Sequence, residues 1–369
     1  MKTCTKNLFL LPGLIAGLGL IPAGRVTAQT FTTLYSFTAM SSDGANPETV
    51  LILSGNTLFG TASYGGISGN GTVFAVNTDG SGFTNLHSFT ALNNSTNSDG
   101  ATPYGGLILA SNTLYGTAFY GGGSGKGAVF AVNTDGTDFT NLHSFTGGSD
   151  GANPFAGLIL SAYTLYGTAR GIFGGPDYGM VFAVNTDGSG FTNLHSFTAV
   201  NNYTNSDGAN PFAGLILSGN TLYGTTFIGG SQGNGTVFAM NTDGTGFTNL
   251  HSLPGAANEG SNPQSRLVLS NNTLYGTTQV GGSSIFGALC SRSTLMARVL
   301  RTCIISRVAA TELIRLPDWF YRAVPCMGRR LMAAIRAMAR CSPSTPMARV
   351  LRTCIISRVV ATELIRMPV

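Results

Sequence analysis

The sequence predicts an all-β protein, a β-propeller-like array of about five four-stranded blades in which the last blade is incomplete. Three observations support this fold class. Charged residues make up only 9% of the 369 residues, where roughly 25% is usual in globular proteins. Glycine is frequent, with 51 residues, which favours short strands and tight turns over long helices. A segment of about 50 residues also recurs along the chain, the size of one propeller blade.

Residues 1–28 have the features of a secretory signal peptide. Two lysines precede an apolar stretch, and the small residues Val26-Thr27-Ala28 form a cleavage site. An uncleaved membrane anchor is the alternative, but Pro12 and Pro22 interrupt a short apolar segment. We therefore expect a secreted or cell-surface protein whose mature chain begins at Gln29 and contains no stable membrane span.

Residues 29–287 form the predicted tandem-repeat domain. The repeats begin at Asp43, Asp99, Asp150, Asp207 and, cut short, Glu259. In each repeat, LILSGNTLYGTT predicts one hairpin and GTVFAVNTDGSGFTNLHSF predicts a second around an Asp-Gly turn. A four-stranded unit cannot bury both faces of its own sheet, so neighbouring units must stack. A β-solenoid is the alternative architecture, although its coils are usually shorter.

One strand precedes the first repeat without partners. The segment FTTLYSFT, from Phe31 to Thr38, matches the fourth strand of a repeat, FTNLHSFT. Terminal strands often complete a blade built from the other end of a propeller. We therefore predict that this strand pairs with the first three strands of the last blade.

Residues 288–369 form a basic tail with a different composition. The tail contains fourteen arginines and three acidic residues, whereas residues 29–287 contain three basic and twelve acidic residues. A basic extension that binds nucleic acid or membranes is one interpretation. However, the tail repeats its own sequence from Cys290 at Cys341, 51 residues later, and this is a spacing of the preceding repeats.

The genetic code relates the tail to the repeat. MARVLRTCI, from Met296 to Ile304, has permissible codons that read Gly-Thr-Gly-Phe-Thr-Asn-Leu-His in another frame, as in GTGFTNLH from Gly244 to His251. The tail therefore indicates a frameshift near Gly287. We expect the tail to be poorly ordered or spuriously helical, unable to supply strands, and without a nucleic-acid partner.

The titratable residues follow the repeat and do not predict an active site. The histidines are His87, His143, His195 and His251, all at one repeat position. Catalytic or metal-binding histidines normally converge with unlike ligands. The acidic residues outside the two repeated positions are Glu48, Asp138 and Asp177, and a pocket that gathered them or Arg170 would favour an enzyme. We expect no catalytic residues, no cofactor and no metal.

The aromatic residues of TLYGT are the candidates for a ligand-facing surface. They are Tyr115, Tyr166, Tyr223 and Tyr275, with Phe59 in the first repeat. Packing between blades is the other role of these rings, and the repeat favours it over a ligand-facing surface.

The strings LYGTT-xxGG-xxGxGTVFxxNxDGxxFxxLHSF, which cover Asp43 to Gly287, resemble the Gloeo/Verruco (GloVer) tandem repeat of bacterial exported proteins. The resemblance implies a kelch-like propeller at the cell surface, with no defined activity. We therefore expect a binding or scaffolding role, with surface glycans or proteins as partners. The alternatives are an extracellular propeller hydrolase or lyase, and a product without function from a frameshifted gene.

Overall fold

The structure is a computed structural model that describes residues 31–38, 43–255, 259–281, 289–294 and 300–303, the last two ranges as backbone only. The predicted signal peptide and most of the predicted tail lie outside the described residues. The chain divides into two compact units, Met1–Ser144 and Phe145–Val369. Within the described ranges all regular structure is β-strand, and no helix there could cross a membrane.

The first unit contains two four-stranded antiparallel sheets, with the orders β1-β2-β3-β4 and β5-β6-β7-β8. Their strands are β1 (Ile52–Ser54), β2 (Thr57–Ala62), β3 (Thr72–Asn77), β4 (Thr84–Ser88), β5 (Ile108–Ala110), β6 (Thr113–Ala118), β7 (Ala128–Asn133) and β8 (Thr140–Ser144).

The second unit contains three sheets of the same kind. Their strands are β9 (Ile159–Ser161), β10 (Thr164–Ala169), β11 (Met180–Asn185), β12 (Thr192–Ser196), β13 (Ile216–Ser218), β14 (Thr221–Thr226), β15 (Thr236–Asn241), β16 (Thr248–Ser252), β17 (Val268–Ser270), β18 (Thr273–Thr278), β19 (Leu289–Thr294) and β20 (Leu300–Cys303). The predicted all-β fold of repeated, propeller-like four-stranded blades is confirmed.

The second hairpin of each repeat turns where the sequence predicts. After β3, Asp79 Oδ1 accepts hydrogen bonds from Ser81 N at 2.9 Å and Ser81 Oγ at 2.7 Å. Gly80 follows with a φ of 84°, which glycine adopts without a steric penalty. Hydrogen bonds from Ser81 outweigh desolvation and lower the pKa of Asp79. The Asp of the NTDG motif therefore stabilises a turn.

The core of the first unit lies between its two sheets. Phe59, Val73 and Phe89 of the first repeat pack with Leu114 and Phe130 of the second. Successive strand residues point to opposite faces, and β3 and β7 are buried on both faces along five of their six residues. Stacking therefore covers the faces that a single sheet leaves open, as the repeat predicts.

The segment Phe31–Thr38 packs on the first sheet as β4 packs on the second. Tyr35 stacks on Phe83 with ring centroids 3.7 Å apart, and His87 stacks on Phe139 at the same distance. At both places the backbone also lies close to a glycine of the neighbouring turn. A Cβ added to Gly80 would lie 2.7 Å from the Leu34 carbonyl oxygen, and one added to Gly136 would lie 3.0 Å from that of Leu86.

This segment thus occupies the place of a fourth strand from a preceding blade. No strand pairing is assigned to Phe31–Thr38 among the described residues. Its pairing with the first three strands of the last blade stays a prediction.

The fifth sheet corrects one expectation about the tail. We expected the fifth repeat to stop after its first hairpin, but β19 pairs with β18 from Thr278↔Leu289 to Thr273↔Thr294, and β20 pairs with β19. The physical reason is that backbone pairing needs no particular side chains, and the open edge of β18 presents unpaired N–H and C=O groups. The remainder of the predicted tail, residues 288, 295–299 and 304–369, lies outside the described residues.

Candidate functional site

The histidines of the repeat contact the acidic residue that opens the next repeat. The Nε2 atoms of His87, His195 and His251 lie 2.9, 3.1 and 2.9 Å from carboxylate oxygens of Asp99, Asp207 and Glu259. Sequence analysis did not predict these pairs. The sequence does contain a pattern that indicates them, because the histidine and the acidic residue each recur once per repeat in the same register.

The contact around Asp99 shows what these pairs do. Asp99 is 4% exposed, and its carboxylate also accepts hydrogen bonds from Thr90 N, at 3.0 Å, and from Thr90 Oγ1. Burial alone would raise the pKa of Asp99, but the hydrogen bonds from His87 and Thr90 outweigh burial and lower it. Three hydrogen bonds therefore hold the carboxylate, and the pair links two consecutive repeats.

In the segment before the first repeat, Tyr35 takes the place of the histidine. Tyr35 Oη donates to Asp43 Oδ2 at 3.1 Å, and Thr38 N donates to the same oxygen at 2.7 Å. The contact therefore needs a ring that stacks and donates one hydrogen bond, and it does not need an imidazole that changes charge.

The predicted ligand-facing tyrosines are mostly buried. Tyr115, Tyr166 and Tyr223 are only 7–8% exposed, and Phe59 is 4% exposed in the core of the first unit. Their burial fits packing between blades, because the central strands are covered on both faces. A ligand-facing role for these three tyrosines stays a prediction. Tyr275 is 36% exposed, and its role stays a prediction.

The four non-repeated charged residues occupy different environments. Asp138 accepts a hydrogen bond from Asn133 Nδ2 at 2.9 Å in the turn after β7. Asp177 accepts one from Gly179 N at 2.9 Å, and the Arg170 guanidinium lies 5.1 Å above the Phe212 ring. Glu48 is exposed before β1. Across the described part of the chain, no group of three or more His, Cys, Asp or Glu side chains could hold a metal ion.

A cluster of aromatic side chains in the first unit was not predicted from the sequence. It comprises Tyr64, Tyr104, Phe119 and Tyr120, and we call it the tyrosine cluster. The hydroxyl oxygens of Tyr64 and Tyr104 lie 2.9 Å apart. Phe119 makes edge-on contacts with the rings of Tyr104, at 5.5 Å, and Tyr120, at 4.5 Å.

The tyrosine cluster combines exposure with a fixed support. Tyr64 and Tyr120 are 44% and 47% exposed, whereas Phe119 beneath them is 3% exposed. Burial, the hydrogen bond with Tyr64 and the nearby charge of Glu48 together raise the pKa of Tyr104 well above its usual range. The Tyr104 phenol therefore stays protonated at neutral pH.

Some of the equivalent positions in the second unit are also aromatic. Phe155 and Phe212 correspond to Tyr104, and Phe227 corresponds to Phe119, whereas Gly171 and Ile228 correspond to Tyr64 and Tyr120. Phe212 contacts Phe155, with ring centroids 5.4 Å apart, and Phe227, at 4.8 Å. Asn210 Nδ2 donates to the Arg170 carbonyl oxygen at 2.9 Å and so holds the backbone beside these rings. This surface combines phenylalanine rings with the Arg170 guanidinium. The tyrosine cluster of the first unit instead combines tyrosine rings with the nearby Glu48.

One of these positions differs between the repeats. The residue after the Asn-Pro or Thr-Pro pair is Glu48, Tyr104, Phe155, Phe212 and Gln264 in successive repeats. By contrast, TLYGT or TLFGT recurs in all five repeats, and NTDG recurs in the first four. The strand and turn positions are therefore nearly uniform, whereas this position varies and holds a partly exposed aromatic residue in the second, third and fourth repeats.

Tandem four-stranded sheets joined by one recurring ring–carboxylate contact define a blade-repeat protein. The family model of the Gloeobacter/Verrucomicrobia repeat matches residues 13–171, 89–204 and 172–300. The chain belongs to this family, and the resemblance inferred from the sequence is confirmed. No curated protein matches the chain.

Several solved structures are similar to the chain. The nidogen/laminin complex is 15% identical, over 66% of this chain and 74% of that chain, with a TM-score of 0.41. TolB from Acinetobacter baumannii is 11% identical, over 63% and 48% of the two chains, with a TM-score of 0.38. A puromycin-hydrolyzing peptidase of Mycobacterium tuberculosis is 12% identical, over 70% and 39%, with a TM-score of 0.43. The chain spans less than two thirds of the last two proteins.

Proposed function

We propose that the protein is an exported, non-catalytic repeat protein that binds or scaffolds molecules at the cell surface. One observation carries the proposal: within an otherwise uniform repeat, the varied position holds partly exposed aromatic residues in both units. Exposed aromatic groups on a rigid scaffold are typical of recognition surfaces. The recurring titratable pairs supply contacts between repeats, which supports a role without catalysis.

Two measurements test this proposal. Mass spectrometry of the protein recovered from outside the cytoplasm is expected to show a mature chain beginning at Gln29. The labelled full chain is then mixed with washed cells, sacculi and extracted surface polysaccharide, and sedimentation or gel retardation is measured. Retention by at least one fraction supports the proposal. A cytoplasmic chain with an intact N-terminus, or no retention by any fraction, contradicts it.

A second candidate function follows from one cavity in the second unit. A cavity of about 280 Å³ is lined by Gly147, Gly148, Ser149, Asp177, Tyr178 and Ser196, among others. In the connection before the fourth repeat, the insert residue Asn205 holds the neighbouring loop through a hydrogen bond from Gly230 N at 2.8 Å. Before the third repeat, the short connection Gly147-Gly148-Ser149 takes the place of that insert, and the cavity lies there.

This cavity makes a propeller hydrolase or lyase the alternative. Asp177 is the one carboxylate among the residues that line it, whereas glycoside hydrolysis normally needs two. The test for hydrolase or lyase activity uses chromogenic glycosides and uronate polymers as substrates. It compares the parent chain with the Asp177→Asn variant. Turnover lost in Asp177→Asn and retained in Asp187→Asn, a change in an exposed turn, would establish the enzyme.

A further inference from the structure

We propose that the tyrosine cluster binds a neutral pyranose unit of a polysaccharide, an inference that rests on the proposed binding function. A pyranose ring has apolar C–H faces and a rim of hydroxyl groups. Its binding site therefore needs an exposed aromatic face with hydrogen-bonding groups at the edge.

The backbone that carries the two exposed tyrosines is held in place. Tyr64 exchanges hydrogen bonds with Ala45, from Ala45 N at 2.6 Å and to Ala45 O at 3.0 Å. Tyr120 exchanges the equivalent bonds with Ala101, at 2.8 and 2.9 Å. The two residues lie two positions after the ends of the central strands β2 and β6. The rings are thus presented without a large entropic cost on binding.

The polar groups at the edge fit sugar hydroxyls. The hydroxyl oxygens of Tyr64 and Tyr104 lie 2.9 Å apart, and either can be the donor. Tyr64 is 44% exposed, and a phenol oxygen accepts hydrogen bonds from hydroxyl groups. Glu48 is exposed and close enough to affect the titration of Tyr104, and its carboxylate accepts hydrogen bonds from hydroxyl groups.

Charge selects a neutral ligand over an anionic one. Lys126 is the sole lysine or arginine between residues 31 and 144 of the sequence, so the surface offers little to pair with a uronate, phosphate or nucleic acid. A quaternary ammonium group is the other ligand of aromatic clusters, and it requires rings that enclose it. Tyr64 and Tyr120 are nearly half exposed, so they form an open surface and do not enclose a ligand.

The test compares tyrosine variants of the full chain in affinity electrophoresis and calorimetry. The probes are a mixed-linkage β-glucan, a galactomannan and a xylan, with polygalacturonate and choline chloride as an anionic and a cationic probe. We expect a neutral polysaccharide to bind, and Tyr64→Ala and Tyr120→Ala each to weaken binding about ten-fold or more. Tyr64→Phe keeps the ring and is expected to retain most of the affinity.

Matched controls separate the platform from general exposure of tyrosine. Tyr163 and Tyr203, 80% and 67% exposed, lie in the second unit, and their alanine variants are expected to bind within about two-fold of the parent chain. Thermal unfolding confirms that each variant is folded.

Three outcomes overturn the inference: no binding of any neutral polysaccharide, unchanged binding in both tyrosine-to-alanine variants, or displacement by choline. If the chain still sediments with cells or sacculi in these cases, the proposed binding function stands and the assigned site fails. If sedimentation also fails, both are wrong.

Discussion

At the scale of single residues, the repeats place a left-handed backbone at one recurring position. Four of the five repeats have asparagine there, and the second repeat has Thr102, with a φ of 57°. Asparagine tolerates this conformation, whereas a β-branched residue is strained in it. Asn210 and Asn262 also donate to carbonyl oxygens of the preceding repeat, at 2.9 and 3.0 Å.

Replacement of Thr102 by asparagine is therefore expected to stabilise the protein. The change relieves the strain at positive φ and supplies a donor for the Ser63 carbonyl oxygen, the counterpart of these acceptors. We expect the free energy of unfolding to rise by about 1 kcal/mol, measured by urea denaturation. The reverse change, Asn210→Thr, should lower it by a similar amount. A Thr102→Asn variant no more stable than its parent would contradict the argument.

The second residue-scale prediction concerns Asp99 and pH. The pKa of Asp99 is lowered in the folded protein, so its contribution is fully present above its unfolded pKa of about 3.9. The contribution is lost as the pH falls through the folded pKa. We expect Asp99→Asn to lower the free energy of unfolding at pH 7 by about 1.5–3 kcal/mol, because donors aimed at the carboxylate lose their charged acceptor.

Urea denaturation between pH 7 and pH 2 checks this. The difference between parent and Asp99→Asn should shrink below about pH 4. Asp79→Asn, in an exposed turn, serves as the control and is expected to have the smaller effect at pH 7. Equal effects of the two substitutions would show that the buried contact between repeats contributes little.

At the scale of elements, Phe31–Thr38 covers a face of the first sheet that would otherwise be open. Phe37 contacts Phe74, with ring centroids 5.0 Å apart, and Phe83, at 5.7 Å. Phe37 and Tyr35 pack against the buried cluster of Phe74 and Val76. The segment therefore stabilises the first repeat through side-chain packing.

Truncation of Phe37 tests this role. Phe37→Ala removes a partly buried ring, and we expect the free energy of unfolding to fall by about 2 kcal/mol. Phe31, 82% exposed in the same segment, provides the control, and Phe31→Ala should change stability by less than about 0.5 kcal/mol. Circular dichroism during urea denaturation measures both. If Phe37→Ala is as mild as Phe31→Ala, the segment does not stabilise the sheet.

The fifth sheet illustrates the limit of backbone pairing. In the first four sheets the register shifts by one residue between the third and fourth strands, as at Val73/Phe74. Between β19 and β20 the pairs run without a shift from Cys290↔Cys303 to Ser293↔Leu300. Among the described sheets, the β-bulge occurs in the four that carry the full repeat sequence. The fifth sheet forms its strand pairs without a bulge.

At the scale of the whole molecule, we predict that the change of composition near residue 288 results from a frameshift. The coding DNA tests this directly. Restoration of one base near codon 287 is expected to recover GTVFAVNTDG and a continuing repeat. If neither other frame encodes the repeat, the basic tail is a genuine segment, and the alternative of a non-functional product from a frameshifted gene is also excluded.

The tyrosine cluster could not be predicted from the sequence. Tyr64 and Tyr104 belong to different repeats and are forty residues apart, so their contact depends on how two sheets stack. The TLYGT tyrosines were the more obvious candidates because they recur. Their burial reflects the covering of both faces of a central strand, which strand periodicity does not reveal.

The repeat length, the strands, the turns and the four-stranded unit were readable from the sequence, because each follows from local patterns in neighbouring residues. The tertiary structure decided which aromatic rings are buried, which acid each histidine contacts, and where Phe31–Thr38 packs. These properties arise from stacking between repeats. Tyr64 and Tyr104 are forty residues apart and carry no local signal of their contact, whereas the histidine–acid pairs are 8 or 12 residues apart and recur in the same register.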